Sequence, residues 1–182
     1  MIIIDGRISM RAVLAAIAIA VLFVTAVQAG EMDMNSLVAK LGFDRIPDEH
    51  TCEGIDVSPR IEIQGLNATS MAIIVDDPDA PSGTFTHWLI WNIPPTDVIP
   101  RAIAKNAIIK EPFSAFQGTN DFGEIGYAGP CPPSGKPHRY FFRVFGLNRM
   151  LNLKAGASVK DLQKAMQGHM LQKGEAVATY GR

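Results

Sequence analysis

The chain has 182 residues, with 17 Lys and Arg against 18 Asp and Glu, a formal net charge of −1, and 47% hydrophobic and 19% charged residues. This is an ordinary globular composition, and it excludes a collagenous or intrinsically disordered chain. No dense basic run offers a footprint for nucleic acid, and no polybasic patch suits an anionic membrane surface.

In chain order, Arg7 and Arg11 come first and flank the start of an uncharged apolar run, Ala12 to Val27, after which small residues follow. A basic region, an apolar region and small residues in that order predict a secretory signal peptide over residues 1–29, cut ahead of Gly30. The run is shorter than the ~20 residues that span a bilayer comfortably. An uncleaved signal anchor is the alternative, and the one route to a membrane. Residues 30–182 then form a single domain of an exported protein, periplasmic or extracellular, because no repeat or linker divides them. In an oxidising compartment Cys52 and Cys131 permit one intramolecular disulfide; the other reading is two small buried residues that never meet.

Ser70 to Val75, SMAIIV, predicts a strand that stops at Asp76. Phe85 to Asn92, FTHWLIWN, predicts a second, and strict alternation places Phe85, His87, Leu89 and Trp91 on one face. Large apolar groups on both faces imply cover on both sides. Lys105 to Cys131 is rich in turn formers, and a loop that long in a compact domain is functional or packed on itself. Arg139 to Leu147 predicts a third strand, with Tyr140, Phe142 and Val144 facing one way. Its arginines alternate with aromatics, which reads as stacking or ion pairing rather than nucleic-acid recognition. Ser158 to Lys173 predicts a helix, opened by a Ser158–Asp161 capping box and stopped at Gly174. A short strand over Ala176 to Thr179 closes the chain. The fold class is mainly β, with one or two peripheral helices.

Two segments carry the chemistry. In DDPDAPSG, Pro78 and Pro81 stiffen the exit from the first strand, which holds Asp77 and Asp79 in defined directions ahead of His87. In GYAGPCPPSGKPHRYFF the design repeats, with Gly129 and Pro130 before His138 and Tyr140, which share a face. Either segment alone reads as a capped turn, whereas two histidines entering two strands behind rigid loops form a site candidate.

DPDAP followed by HW, and GPCPP followed by HRYFF, resemble the two signature regions of the phosphatidylethanolamine-binding (Raf kinase inhibitor protein-like) family. TCEGIDVSPRI and GTNDFGEIGYAGPCPP resemble its bacterial and archaeal branch. The resemblance implies a large antiparallel sheet packed with a smaller one, and a small pocket for phosphate-like or carboxylate groups, including a phosphoethanolamine headgroup. Asp77, Asp79, Pro81, His87, Gly129, Pro130, His138 and Tyr140 match the positions that line it. The expected mechanism has His87 and His138 donating to the anion, aided by an amide near Gly129, with Asp77 orienting His87 or meeting an ammonium. Asp79 pins its loop, and Trp88, Tyr127 and Tyr140 form apolar walls. No cofactor or metal is expected, because zinc-ligand spacing and hydrolase motifs are missing. The expected function is thus non-catalytic binding of a small anion or phospholipid headgroup. The alternative is a protease inhibitor, or another regulator that docks on an exported or host protein.

Overall fold

The computed structural model describes residues 36–182, so the leader expected over residues 1–29 lies outside the described residues. Six strands form the large antiparallel sheet, in the order β6-β7-β4-β3-β8-β9. They are β3 (Ser70–Asp77), β4 (Phe85–Ile93), β6 (Ile108–Ile109), β7 (Ala115–Gln117), β8 (His138–Leu147) and β9 (Met170–Tyr180). A smaller sheet holds β1 (Val38–Lys40), β2 (Ile61–Gln64) and β5 (Val98–Ile99) in the order β1-β2-β5. Among the described residues one helix, α1 (Val159–Met166), and one 3-10 turn (Asp48–His50) accompany the sheets. The mainly β architecture with a large and a small sheet is the one the sequence implies. No helix among the described residues is long and apolar enough to cross a membrane.

Two apolar layers hold the large sheet. On one face Ile73, Val75, Trp88, Ile90, Phe142 and Val144 pack with Ile61 and Ile63 of β2 and Ile99 of β5. On the other, Ile74, Leu89, Trp91 and Leu147 pack with Leu162 and Met166 of α1. β3 is buried along its whole length, as expected of a central strand covered on both sides.

Strict alternation fails at two places in β4, at Asn92 and, nearer the strand's start, at His87. Ile74 pairs with Leu89 and Val75 with Trp88, but Asp76 then pairs with Thr86 and Asp77 with Phe85. His87 has no opposite residue, and the strand carries a β-bulge there. A bulge inserts one residue and re-aims its side chain. Leu89 and Trp91 therefore face α1, while the His87 ring sits 5.2 Å from Tyr140 on the opposite face. Placing all four side chains on one face is corrected by this extra residue.

The C-terminal assignment is also corrected. The Ser158–Asp161 capping box opens α1, but the helix ends at Met166. Gly168, at φ 75°, turns the chain back, and Met170 begins an eleven-residue strand along β8. Gly174 lies within that strand, where a Cβ would stand 2.3 Å from the Leu37 carbonyl oxygen. Its glycine admits a neighbouring backbone rather than stopping a helix.

Candidate functional site

The site grows from one end of the large sheet, where β3 ends and β4 and β8 begin. Asp77, 3% exposed, accepts the Asp79 amide on Oδ1 at 2.8 Å, which is the turn geometry that aspartate favours before a proline-stiffened loop. Its Oδ2 accepts from His138 Nδ1 at 2.7 Å. One buried carboxylate thus joins the first loop to the first residue of β8. Asp77 orients His138, rather than His87 as the sequence suggested.

Asp79 lies outside this pair. Arg139 grips its carboxylate with Nε at 2.9 Å and Nη2 at 2.7 Å, and the Arg139 amide adds a third bond at 3.0 Å. The guanidinium holds the Asp79 carboxyl well below the usual carboxylate range. Both side chains reach solvent, so the pair sets the course of the loop more than it adds stability.

His87 is bound differently. Its Nδ1–H donates to the Ala128 carbonyl at 2.7 Å, and its own carbonyl accepts the Ala128 amide at 3.0 Å. The bulged residue thereby recovers partners from a neighbouring extended segment. The Asp121 carboxylate, in the same loop, accepts the Thr86 amide at 2.6 Å. Burial pushes the His87 pKa below its ordinary value, and it outweighs the opposing Ala128 carbonyl and Asp77 charge. Burial likewise raises the Tyr140 hydroxyl above its ordinary range, with Asp77 acting in the same direction.

These groups surround a cavity of about 140 Å³. Asp77, His87, His138 and Tyr140 supply its polar side, and Pro81, Phe85, Phe122 and the Pro132–Pro133 pair its apolar side. Phe122, 48% exposed, lies edge-on to Phe85 and His87 at the opening.

Five of the sequence-predicted residues meet here: Asp77, Pro81, His87, His138 and Tyr140. Asp79, Gly129 and Pro130 do not line the cavity. The Gly129 amide donates to Asp56 Oδ1 at 2.6 Å, and a Cβ on Gly129 would stand 2.1 Å from the His50 carbonyl oxygen. Glycine is needed there for chain packing, and its amide has a partner within the protein. The Pro130 carbonyl accepts the Cys52 amide. Trp88 and Tyr127 are core residues, bonded to Gln117 Oε1 at 2.6 Å and to the His50 carbonyl at 2.7 Å. Sequence reasoning missed Phe122, Pro132, Pro133 and the Asp56 brace. Only the turn-rich segment and the GPCPP string hinted at them.

Cys52 and Cys131 are joined in a disulfide with a Cα–Cα distance of 5.4 Å. Beside it, the Arg182 guanidinium donates to the Pro132 carbonyl at 2.9 Å and to Glu53 at 3.0 Å. The Pro132–Pro133 wall is thus tethered covalently and by ion pairing to the segment after the 3-10 turn. No cluster of three or more metal-ligating side chains occurs among the described residues.

A two-sheet β fold with a small histidine–aspartate pocket at one sheet end defines a class of binding proteins. The phosphatidylethanolamine-binding protein family model matches residues 40–181. A UPF0098 protein of Pyrococcus horikoshii is 56% identical over 140 residues, covering 75% of this chain and 71% of that protein. A UPF0098 protein of Pyrococcus abyssi is 52% identical over 157 residues, covering 84% and 88%. Among solved structures, a phosphatidylethanolamine-binding protein homologue of Chlamydia trachomatis superposes with a TM-score of 0.73 at 31% identity, covering 81% of this chain and 99% of that one. Escherichia coli YbcL, a member of the mammalian family, gives 0.74 at 28% identity with the same coverage. The chain belongs to the phosphatidylethanolamine-binding protein family, and its archaeal and bacterial relatives place it in that branch.

Proposed function

We propose that the chain is a non-catalytic binding protein whose pocket takes a small phosphate-like or carboxylate anion, alone or as a headgroup. The observation that carries this reading is the Asp77–His138 pair set beside His87 in a cavity of about 140 Å³ with an apolar rim. Asp77 holds the His138 ring by Nδ1, which leaves Nε2 as the ring nitrogen available to a ligand. The apolar side, from Phe85, Phe122 and the prolines, lowers the local dielectric and strengthens any charged hydrogen bond formed there.

Calorimetric titration with sodium phosphate tests the reading. Saturable one-site binding is expected, weakened about tenfold or more in His138→Ala through loss of one charge-assisted bond. Failure of phosphate, acetate and phosphoethanolamine alike to bind sinks it.

The leader-like order of residues 1–29 and the Cys52–Cys131 disulfide, a bond that persists in oxidising compartments, support an exported location. N-terminal sequencing of the mature protein should begin at Gly30. Recovery in the cytoplasm with Met1 intact counts against export.

A further inference from the structure

Asparagine followed by a residue other than proline and then by serine or threonine occurs once in the chain, as Asn67-Ala68-Thr69. It lies in the turn between β2 and β3, where Asn67 and Thr69 are both exposed. The backbone of this turn is anchored. The Asn67 amide donates to Gln172 Oε1 at 2.7 Å, and the Thr69 amide donates to the Leu147 carbonyl at 2.8 Å. The side chains are not used in this way. Among the described residues neither the Asn67 carboxamide nor the Thr69 hydroxyl has a hydrogen-bond partner.

Asparagine in a turn ordinarily serves the fold in one of two ways. It takes a left-handed backbone, or its side chain bonds a nearby backbone group. Asn92 does both, at φ 59° with its Nδ2 donating to the Leu151 carbonyl at 3.0 Å, and Asn120 Nδ2 donates to the Gly126 carbonyl at 3.0 Å. Asn67 does neither, because the left-handed residue of its turn is Gly65, at φ 73°. The fold therefore has no use for the Asn67 carboxamide, which stands in solvent with a threonine hydroxyl two residues on.

The surroundings suit a bulky polar group. Met150, Met170 and Leu171 are about half exposed, and they belong to the segments that hold this turn. Leu147, which accepts the Thr69 amide, pairs with Met170, and Leu171 precedes the Gln172 that accepts the Asn67 amide. A glycan is bulky and solubilising, and here it would cover apolar surface. It would also leave the pocket open. β3 has eight residues, so at about 3.3 Å each its start lies roughly 23 Å from Asp77 at its other end.

Resting on the export reading, we propose that Asn67 is an N-glycosylation site. The sugar comes from an oligosaccharide linked to a lipid phosphate, transferred by an oligosaccharyltransferase of the exporting membrane. A bond forms between Asn67 Nδ2 and the anomeric carbon as the bond from that carbon to the phosphate oxygen breaks. The carboxamide loses one proton and the lipid phosphate departs with the bonding electron pair, so no oxidant or reductant is needed. The Thr69 hydroxyl completes the acceptor that such a transferase recognises.

The experiment is mass spectrometry of the full chain expressed from its own gene in its native host, with fragmentation of the peptide that spans Asn67. An oligosaccharide mass on Asn67 is expected. It should be lost in Asn67→Gln and in Thr69→Ala, and kept in Thr69→Ser, which restores the hydroxyl. Both disabling variants should fold, since the side chains they replace bond nothing; should either fail to, the unaltered chain alone decides. Sugar persisting in Thr69→Ala overturns the inference, as does a bare Asn67 in the unaltered chain. A bare Asn67 on a chain that begins at Gly30 leaves export standing, whereas a bare Asn67 on a cytoplasmic chain that keeps Met1 counts against export as well.

Discussion

The two loop–strand segments, residues 77–87 and 129–140, look like a repeated design in the sequence and act as opposites in the structure. His87 is 3% exposed, carried on a bulge and tied to a backbone carbonyl. His138 opens a strand, keeps partial access to solvent and is tied to a carboxylate. Burial opposes charge on the His87 ring, whereas the His138 ring is set against a carboxylate. The same residue type is thus held by a backbone carbonyl on one side of the pocket and by a carboxylate on the other. Neither partner follows from the residue alone.

The largest effect should come from severing the covalent tie behind the second segment. Cys52→Ser with Cys131→Ser removes a crosslink spanning 79 residues. It should cost about 4 kcal/mol in urea unfolding, with the first segment unaffected in contacts. A loss below about 1 kcal/mol would show that Arg182 and packing suffice to hold the wall. Next, Asp77→Ala leaves the His138 ring and the Asp79 amide without their shared acceptor. A loss of about 3 kcal/mol is expected, together with weaker anion binding. Unchanged stability would mean that the two segments are not coupled through this carboxylate.

A subtler effect separates the histidines by pH. The folded pKa of His87 lies below its ordinary value of 6.5, so the unfolded chain binds the proton more readily. Stability is therefore full above about pH 6.5 and declines as pH falls toward the folded pKa. His87→Gln should flatten that part of the unfolding-versus-pH profile relative to the unaltered chain; an identical slope in both would remove His87 from it. The smallest change is expected from Arg139→Ala, which frees an exposed pair. Its melting midpoint should scarcely move at moderate salt, and a large drop would show that the Asp79 loop needs this pin.

Three of the four long strands, β3, β4 and β8, were legible because aromatic and β-branched runs have few other uses. Asp77, His87 and His138, which line one cavity, stood out as candidates because charge beside buried strands demands a reason. The facing of His87 was not legible, since a bulge without glycine leaves no mark in the alternation. Gly174 misled because glycine ends helices and also admits a crossing backbone, and only the Leu37 approach distinguishes the two. Gly129 misled in the same way: its amide suited an anion in principle, but Asp56, 73 residues away in sequence, reaches it first. Long-range partners of this kind carry no local signal.

The disulfide has a topological consequence. It closes the backbone from Cys52 to Cys131 into a covalent ring, and the exposed turn at Pro81, Ser82 and Gly83 lies inside that ring. A protease that cuts this turn, the kind of polar loop tip where nicking concentrates, would open the ring without dividing the molecule. Cleaved protein would migrate as one species until reductant is added and as two afterwards. The sheet would hold the cut ends of β3 and β4 in register across the nick.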